Sequence, residues 1–346
     1  MATIRTAIRD PYRWLEAVLG GFLVVIAVQN TIELIRFHSL AVDIQIPLRA
    51  AERWLAGGDP YPLSAFDASY GPDLPFLYAP YVLPLVAPLT VLPVEVVVGA
   101  ALLGAVCVAA WAIHRLGVAW RFVPLVLLWP PFVEGIVGTN VEVLGFAALV
   151  ALVGPGAASV VDRRAAPAAL LTAATFVFKA AQLQVLAFMA FRRPRVAIAA
   201  VIGVGGLALV MLPAVGLDQW WAWLASGVRA GDPSWPVIGA PLSTLVPRPV
   251  ALIATAASIL VATRVGGPHA VAWLGLLIIV GAPTLHLFGF IYLLPALLLL
   301  RRDLALALAA LTATAISQAL WVAVAATALL LLASRRWSWV LRRGAG

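Results

Sequence analysis

The sequence predicts an all-α polytopic membrane protein, and three observations predict it. Hydrophobic residues make up 63% of the chain and charged residues 11%, against about 25% charged in soluble domains. Mean hydropathy is +1.03. The apolar residues come in blocks of Leu, Val, Ala and Ile without period-2 alternation, which favours spanning helices over an outer-membrane barrel. The arginines gather at the ends of these blocks: Arg5, Arg9 and Arg13; Arg163 and Arg164; Arg192, Arg193 and Arg195; Arg301 and Arg302; Arg335, Arg336, Arg342 and Arg343. That is the pattern of cytoplasmic loops. It accounts for the net charge of +8 without a nucleic-acid partner. The one cysteine, Cys107, sits in an apolar run, so no disulfide framework or cysteine metal site is expected.

The elements follow in order. A basic start precedes an apolar segment at about 16–37 with no small-residue cleavage site after it, so it reads as a retained first helix running outward. Residues 38–96 read as a first outer loop. Its first half holds Asp43, Glu52, Asp59, Asp67 and Asp73 against Arg49 and Arg53. Its end carries Pro80, Pro84, Pro88 and Pro93, a spacing that makes a poor spanning helix, so 79–93 reads as a kinked re-entrant or interfacial piece. Further helices are expected at about 97–115, 121–138, 140–159, 165–180, 181–192, 195–214, 248–264, 269–284 and 286–300. A final pair is expected in 304–334, turning near Ala315–Gln318. With 79–93 left out as a span, every arginine group falls inside, as do both termini. Residues 216–247 form a second outer loop, where Trp220, Trp221, Trp223 and Trp235 suit the headgroup level or a wall for a lipid-linked substrate. The whole is one integral membrane domain, 1–346, with 10 to 12 helices and membrane lipids as its surroundings. Arginine in place of lysine, with abundant Ala, Val and Leu, suits a GC-rich bacterial genome.

Polar groups in such a chain call for partners or a cavity. Asp43, Glu134, Asn140, Glu142, Lys179, Gln182 and His286 all fall near outer helix ends in this topology. Lys179 is the only lysine, set in the apolar run "FVFKAAQLQ". Each singly has an ordinary explanation: a solvated loop Asp, a snorkelling Lys, an interfacial His, a capping Asn. As a set they resemble a site on one face of the membrane. No DxD, G-x-S-x-G or His-rich ligand spacing is present, which argues against soluble-type sugar-nucleotide transferases, serine hydrolases and zinc enzymes. The set suits transfer from a donor dissolved in the bilayer. A carboxylate takes a proton from an attacking hydroxyl, and a cation steadies a phosphate leaving group. No metal and no cofactor are expected.

Four segments, in order, carry a resemblance: "VDIQIPLRAAERWLAGGDPYP" (42–62) with "FLYAPYVLPLVAPLTVLP" (76–93), "GTNVEVLGFAALVAL" (138–152), "FVFKAAQLQVLAFMAFRRPR" (176–195) and "APTLHLFGFIYLLPALLLL" (282–300). The series resembles the glycosyltransferase 87 family over roughly residues 40–300. The resemblance implies a GT-C-like fold and a polyprenyl-phosphate sugar donor, typically mannose. It also implies inverting transfer to a lipid or glycan hydroxyl on the outer face of the bacterial inner membrane. Asp43 matches the first-loop Asp expected to be the general base, and Lys179 and His286 match basic positions near the site, His286 as a second catalytic residue and Lys179 facing the donor phosphate or pairing with an acid beside it. The sequence departs from the family where Gln182 replaces the K-x-x-P proline, where Tyr78-Ala79-Pro80-Tyr81 stands for Y-x-P-P, and where "GTN" stands for G-Q.

Arg49 and Arg53 lie i,i+4 on a helical stretch and read as phosphate-binding or headgroup-binding. Tyr78, Asn140 and Glu142 read as substrate contacts, with interfacial, capping and interhelical roles as alternatives. Two other classes stay open: a lipid or sugar-lipid transporter, which would favour repeats and midplane charges, and a non-enzymatic subunit of a cell-envelope complex.

Overall fold

The computed structural model describes residues 11–36, 40–68, 71–157, 165–178, 182–230, 232, 239–313 and 316–334. Lys179, Arg163, Arg164, Trp235, Ala315 and the C-terminal arginines lie outside them. Among the described residues the regular structure is helical, and the only β pairing is an isolated bridge between Gly239 and Leu285.

Thirteen described helices have eight or more residues. They are α1 (Pro11–Arg36), α2 (Val42–Leu55), α3 (Val94–Arg115), α4 (Pro130–Val137), α5 (Val141–Val153), α6 (Ala165–Phe178), α7 (Leu183–Arg192), α8 (Pro194–Val215), α9 (Leu217–Ala230), α10 (Arg248–Ala262), α11 (Ala270–Gly281), α12 (Arg302–Thr312) and α13 (Ser317–Ala333). Three are long and apolar enough to cross a membrane: α1 from Ala17, α3 and α8. A bent pair, Trp120–Leu127 with α4, adds a fourth if taken as one span. Eight further apolar helices run to only 10–17 residues. Ten to twelve helices were expected; the segments are there, but most are shorter than the roughly 20 residues a straight crossing needs.

Proline explains the breaks. The stretch expected as one helix at 121–138 bends by 79°, because Pro130 and Pro131 cannot donate to the carbonyls one turn back and bias Trp129 to extended backbone. Residues 79–93 form a short helix, Val82–Val86, and a 3-10 turn, Ala87–Val91. The stretch expected as a helix at 286–300 is instead a 3-10 segment, Leu287–Leu293, with one α turn after it, Leu294–Leu297. The final break falls between Thr312 and Ser317, so Gln318 lies inside α13 and not in the turn.

Two apolar cores result. The larger joins α3, α5, α7, α11, α13 and residues 285–297 around Phe132, Phe146, Leu149, Ile279 and Tyr292. Gly275 lets α11 touch this segment, since a Cβ there would meet the Tyr292 carbonyl. The smaller core is built on residues 46–97: Leu48 and Ala51 of α2 pack on Phe76, Tyr81 and Leu83, with Trp220 and Trp223 of α9 against them. Trp223 donates its indole N–H to the Leu77 carbonyl at 3.0 Å.

Candidate functional site

Between the two cores, the starts of three helices meet. Asp43 is in the first turn of α2, Asn140 caps α5, Glu142 is in its first turn, and Gln182 stands at the start of α7. The free N–H groups and aligned peptide dipoles at helix starts favour negative charge.

Asp43 is fixed from both sides. Its Oδ2 accepts from Asn140 Nδ2 at 2.8 Å. Its backbone N–H donates to the Gly138 carbonyl at 3.0 Å, and the Ala41 N–H donates to Val137 at 2.7 Å. The non-glycine residues with positive φ among those described are Ala41 (φ 53°) and Thr139 (φ 57°). Ala41 stands two residues before Asp43 and Thr139 directly before Asn140, flanking this contact in sequence. Left-handed backbone costs an L-residue about 1–2 kcal/mol and persists where surrounding structure holds it. Pro47 lies inside α2 and supplies no N–H for the Asp43 carbonyl four residues earlier. At Gly138 a Cβ would lie 3.3 Å from Asp43 Oδ2.

Asn140 serves two neighbours, because its Oδ1 accepts from the Glu142 N–H at 2.8 Å while its amide holds Asp43. Glu142 is buried, and its Oε2 accepts from the Tyr292 hydroxyl at 2.7 Å and from Gln182 Nε2 at 3.4 Å. Gln182 Nε2 also contacts the Tyr292 oxygen. Gly145 makes room for this cluster, since a Cβ there would collide with the Gln182 amide and the Tyr292 hydroxyl. Glu134 enters from α4: its carboxylate accepts from the Phe288 backbone N–H and lies close enough to Asp43 for the two charges to interact. Its Oε2 is buried and has no hydrogen-bond partner among the described residues.

The residues expected from the sequence therefore divide. Asp43, Asn140 and Glu142 come together. Tyr78 joins them from the segment between α2 and α3: burial and the Asp43 and Glu142 carboxylates all hold its phenol above the ordinary tyrosine range, so it stays neutral. His286 stacks on Phe288 with ring centroids 5.1 Å apart, beside the N–H that reaches Glu134. Its backbone is steadied by the Ala240 N–H on the Leu285 carbonyl. Arg49 and Arg53 stand apart, nearly two and nearly three turns further along α2. Arg49 pairs with Asp73 at 2.6 Å on the exposed surface, and Arg53 reaches the Pro60 carbonyl. Lys179 lies just before Gln182, outside the described residues.

The sequence marks Glu134 and Gln182 as unusual polar groups, Gln182 also as the replacement of the K-x-x-P proline, and it gives Tyr292 no role. The available signal was a single phenol in the apolar run "GFIYLLPALL", which must find a partner once buried. Beside the cluster a cavity of about 340 Å³ runs along α5 between α3 and α6, lined by Val141, Leu144, Gly145, Ala148, Ala151 and Gln182 among others. Among the described residues no group of three His, Cys, Asp or Glu side chains is spaced to hold a metal ion.

No family model, curated protein or solved structure matches the chain.

Proposed function

We propose that the chain is a membrane glycosyltransferase of GT-C type, moving a sugar, typically mannose, from a polyprenyl-phosphate donor to a lipid or glycan hydroxyl. Asp43 is the general base of this reaction, on the outer face of a bacterial inner membrane. The observation that carries the reading is the fixing of Asp43 by Asn140 between Ala41 and Thr139, where converging helix starts favour the anionic carboxylate.

In this mechanism the acceptor oxygen attacks the anomeric carbon from the face opposite the phosphate. Asp43 takes the hydroxyl proton as the new C–O bond forms. The bond from the anomeric carbon to the phosphate oxygen breaks, and polyprenyl phosphate leaves with the electron pair. Configuration inverts in this single displacement. Asp43 then loses its proton to water. Asn140 keeps the Asp43 lone pair aimed, and Glu142, tied to Tyr292 and Gln182, fixes Asn140 in turn. Tyr78 and His286 supply neutral and basic polar contacts to the substrates, and Lys179 balances the phosphate. Arg49 and Arg53 would meet phosphate at the loop surface, away from Asp43.

The test is sugar transfer from labelled polyprenyl-phosphate-mannose by purified protein in lipid, with host membrane extract as acceptor. Wild type and Asp43→Asn are run together, with folding checked on both. Transfer is expected from wild type and a loss of at least about 100-fold in the variant, the scale of general-base catalysis. Equal transfer by both would remove Asp43 from the mechanism. Failure of wild type to bind or use such donors would remove the transferase reading.

A further inference from the structure

Helix α9 presents three different faces. Gln219, Ala222, Trp223, Ser226 and Ala230 recur at helical spacing and turn toward the protein, with Ser226 and Ala230 buried. Trp223 holds the Leu77 carbonyl, Trp220 packs on Tyr81 with ring centroids 5.8 Å apart, and Ala230 packs on Phe66. On the side opposite, Leu217, Trp221, Leu224 and Val228 fall at i, i+4, i+7 and i+11. They form an apolar stripe exposed by 63%, 69%, 48% and 81%. The two charged residues of the helix, Asp218 and Arg229, share one edge between these faces, and Arg229 pairs there with Asp232 at 2.8 Å.

What covers the stripe follows from what precedes it. Helix α8 is long and apolar enough to span a bilayer, and Ile202, Leu209 and Val210 on its surface are about as exposed as the stripe. From Val196 to Leu217 there is no charged residue. Gly216, with φ +82°, turns the chain in a single residue. The exposed apolar residues of α8 are therefore followed along the chain by the stripe with no charged residue between them. A helix with an apolar stripe, an indole in it and its charges on one edge has the form of an interfacial helix.

We propose that α9 lies in the boundary between headgroups and acyl chains. Leu217, Trp221, Leu224 and Val228 sit in lipid and Asp218 and Arg229 in water, while Trp220 and Trp223 clamp residues 77–81. The membrane surface then sets the height of Tyr78 and the Asp43 cluster. This assignment goes beyond the transferase reading and does not depend on it.

The test uses the full chain with Cys107→Ser, in nanodiscs of phosphatidylethanolamine and phosphatidylglycerol. Single cysteines at 218, 221, 224, 228 and 229 carry nitroxide labels, and collisions with oxygen and with a water-soluble nickel chelate are measured. Labels at 221, 224 and 228 are expected to show an oxygen-to-nickel ratio several-fold above labels at 218 and 229. Nickel collisions at 221, 224 and 228 equal to those at 218 would put the stripe in water and overturn the proposal. Loss of collisions with both reagents at all three would mean a protein or a second copy covers it, and would overturn it equally. Positions 224 and 228 leave every tryptophan in place, so the outcome stands even if the 221 variant fails to fold.

Discussion

Thr139 and Ala41 carry left-handed backbone beside Asp43 without the freedom of glycine. Thr139→Gly should therefore raise stability by about 1 kcal/mol, read as a higher unfolding temperature in detergent. If the strain helps hold Asp43, transfer should fall in the same variant. Gly145→Ala should do the reverse: its methyl has no space between Gln182 and Tyr292, and a loss of about 1–3 kcal/mol is expected from overpacking. Tyr292→Phe removes a donor from the buried Glu142 carboxylate and should cost about 1–2 kcal/mol, the range for interhelical hydrogen bonds in membranes. If Asn140 is aimed through Glu142, Asn140→Asp should be worse than Asn140→Ala in transfer assays. It would set a second carboxylate against Asp43 where an amide donor now stands. At this scale the sequence was partly legible. Asp43, Asn140 and Glu142 stand out because polar groups at helix starts in an apolar chain ask for a reason. Tyr292 does not stand out, since a tyrosine beside apolar residues reads equally as an interfacial aromatic until its partner 150 residues away is known.

Among the elements, the segment between α2 and α3 has its own pH response. Tyr61 and Tyr78 both have phenols raised by burial and by nearby groups, with carboxylates among them. A tyrosine whose folded pKa lies above its unfolded value of about 10 contributes stability that is full below pH 10 and is lost as pH rises beyond it. Alkaline titration should loosen this segment before the helical core. Quenching of Trp220 and Trp223 fluorescence by iodide, monitored in a background where other indoles are replaced, should rise above about pH 10, and Tyr61→Phe should move the onset upward. Helix placement was largely readable, because Arg, Pro and Gly mark where apolar runs stop. The 79° bend after Leu128 and the 3-10 character of Leu287–Leu293 were not. Hydropathy sees an unbroken apolar stretch in both, while the backbone answers to Pro130, Pro131 and the close contact at Gly275.

Across the whole molecule, the four polar segments converge although no short stretch of sequence contains a site. Asn140 meets Asp43 across 97 residues, and Tyr292 meets Glu142 across 150. Periodicity and charge place helices along the chain, yet they do not say which helix starts lie side by side. Arg49 and Arg53 show the limit: they share a helix with Asp43, but its length carries them to Asp73 and Pro60. The late arrival of Tyr292 has a consequence for biosynthesis. A nascent chain that has delivered α2, α5 and α7 already holds Asp43, Asn140, Glu142 and Gln182, while the phenol that closes on Glu142 is still unmade. Until the ribosome passes residue 292, that carboxylate lacks the phenolic donor it has in the finished protein. The centre is completed only once residue 292 is made, so a polypeptide released before it keeps α1 to α11 but not its finished site.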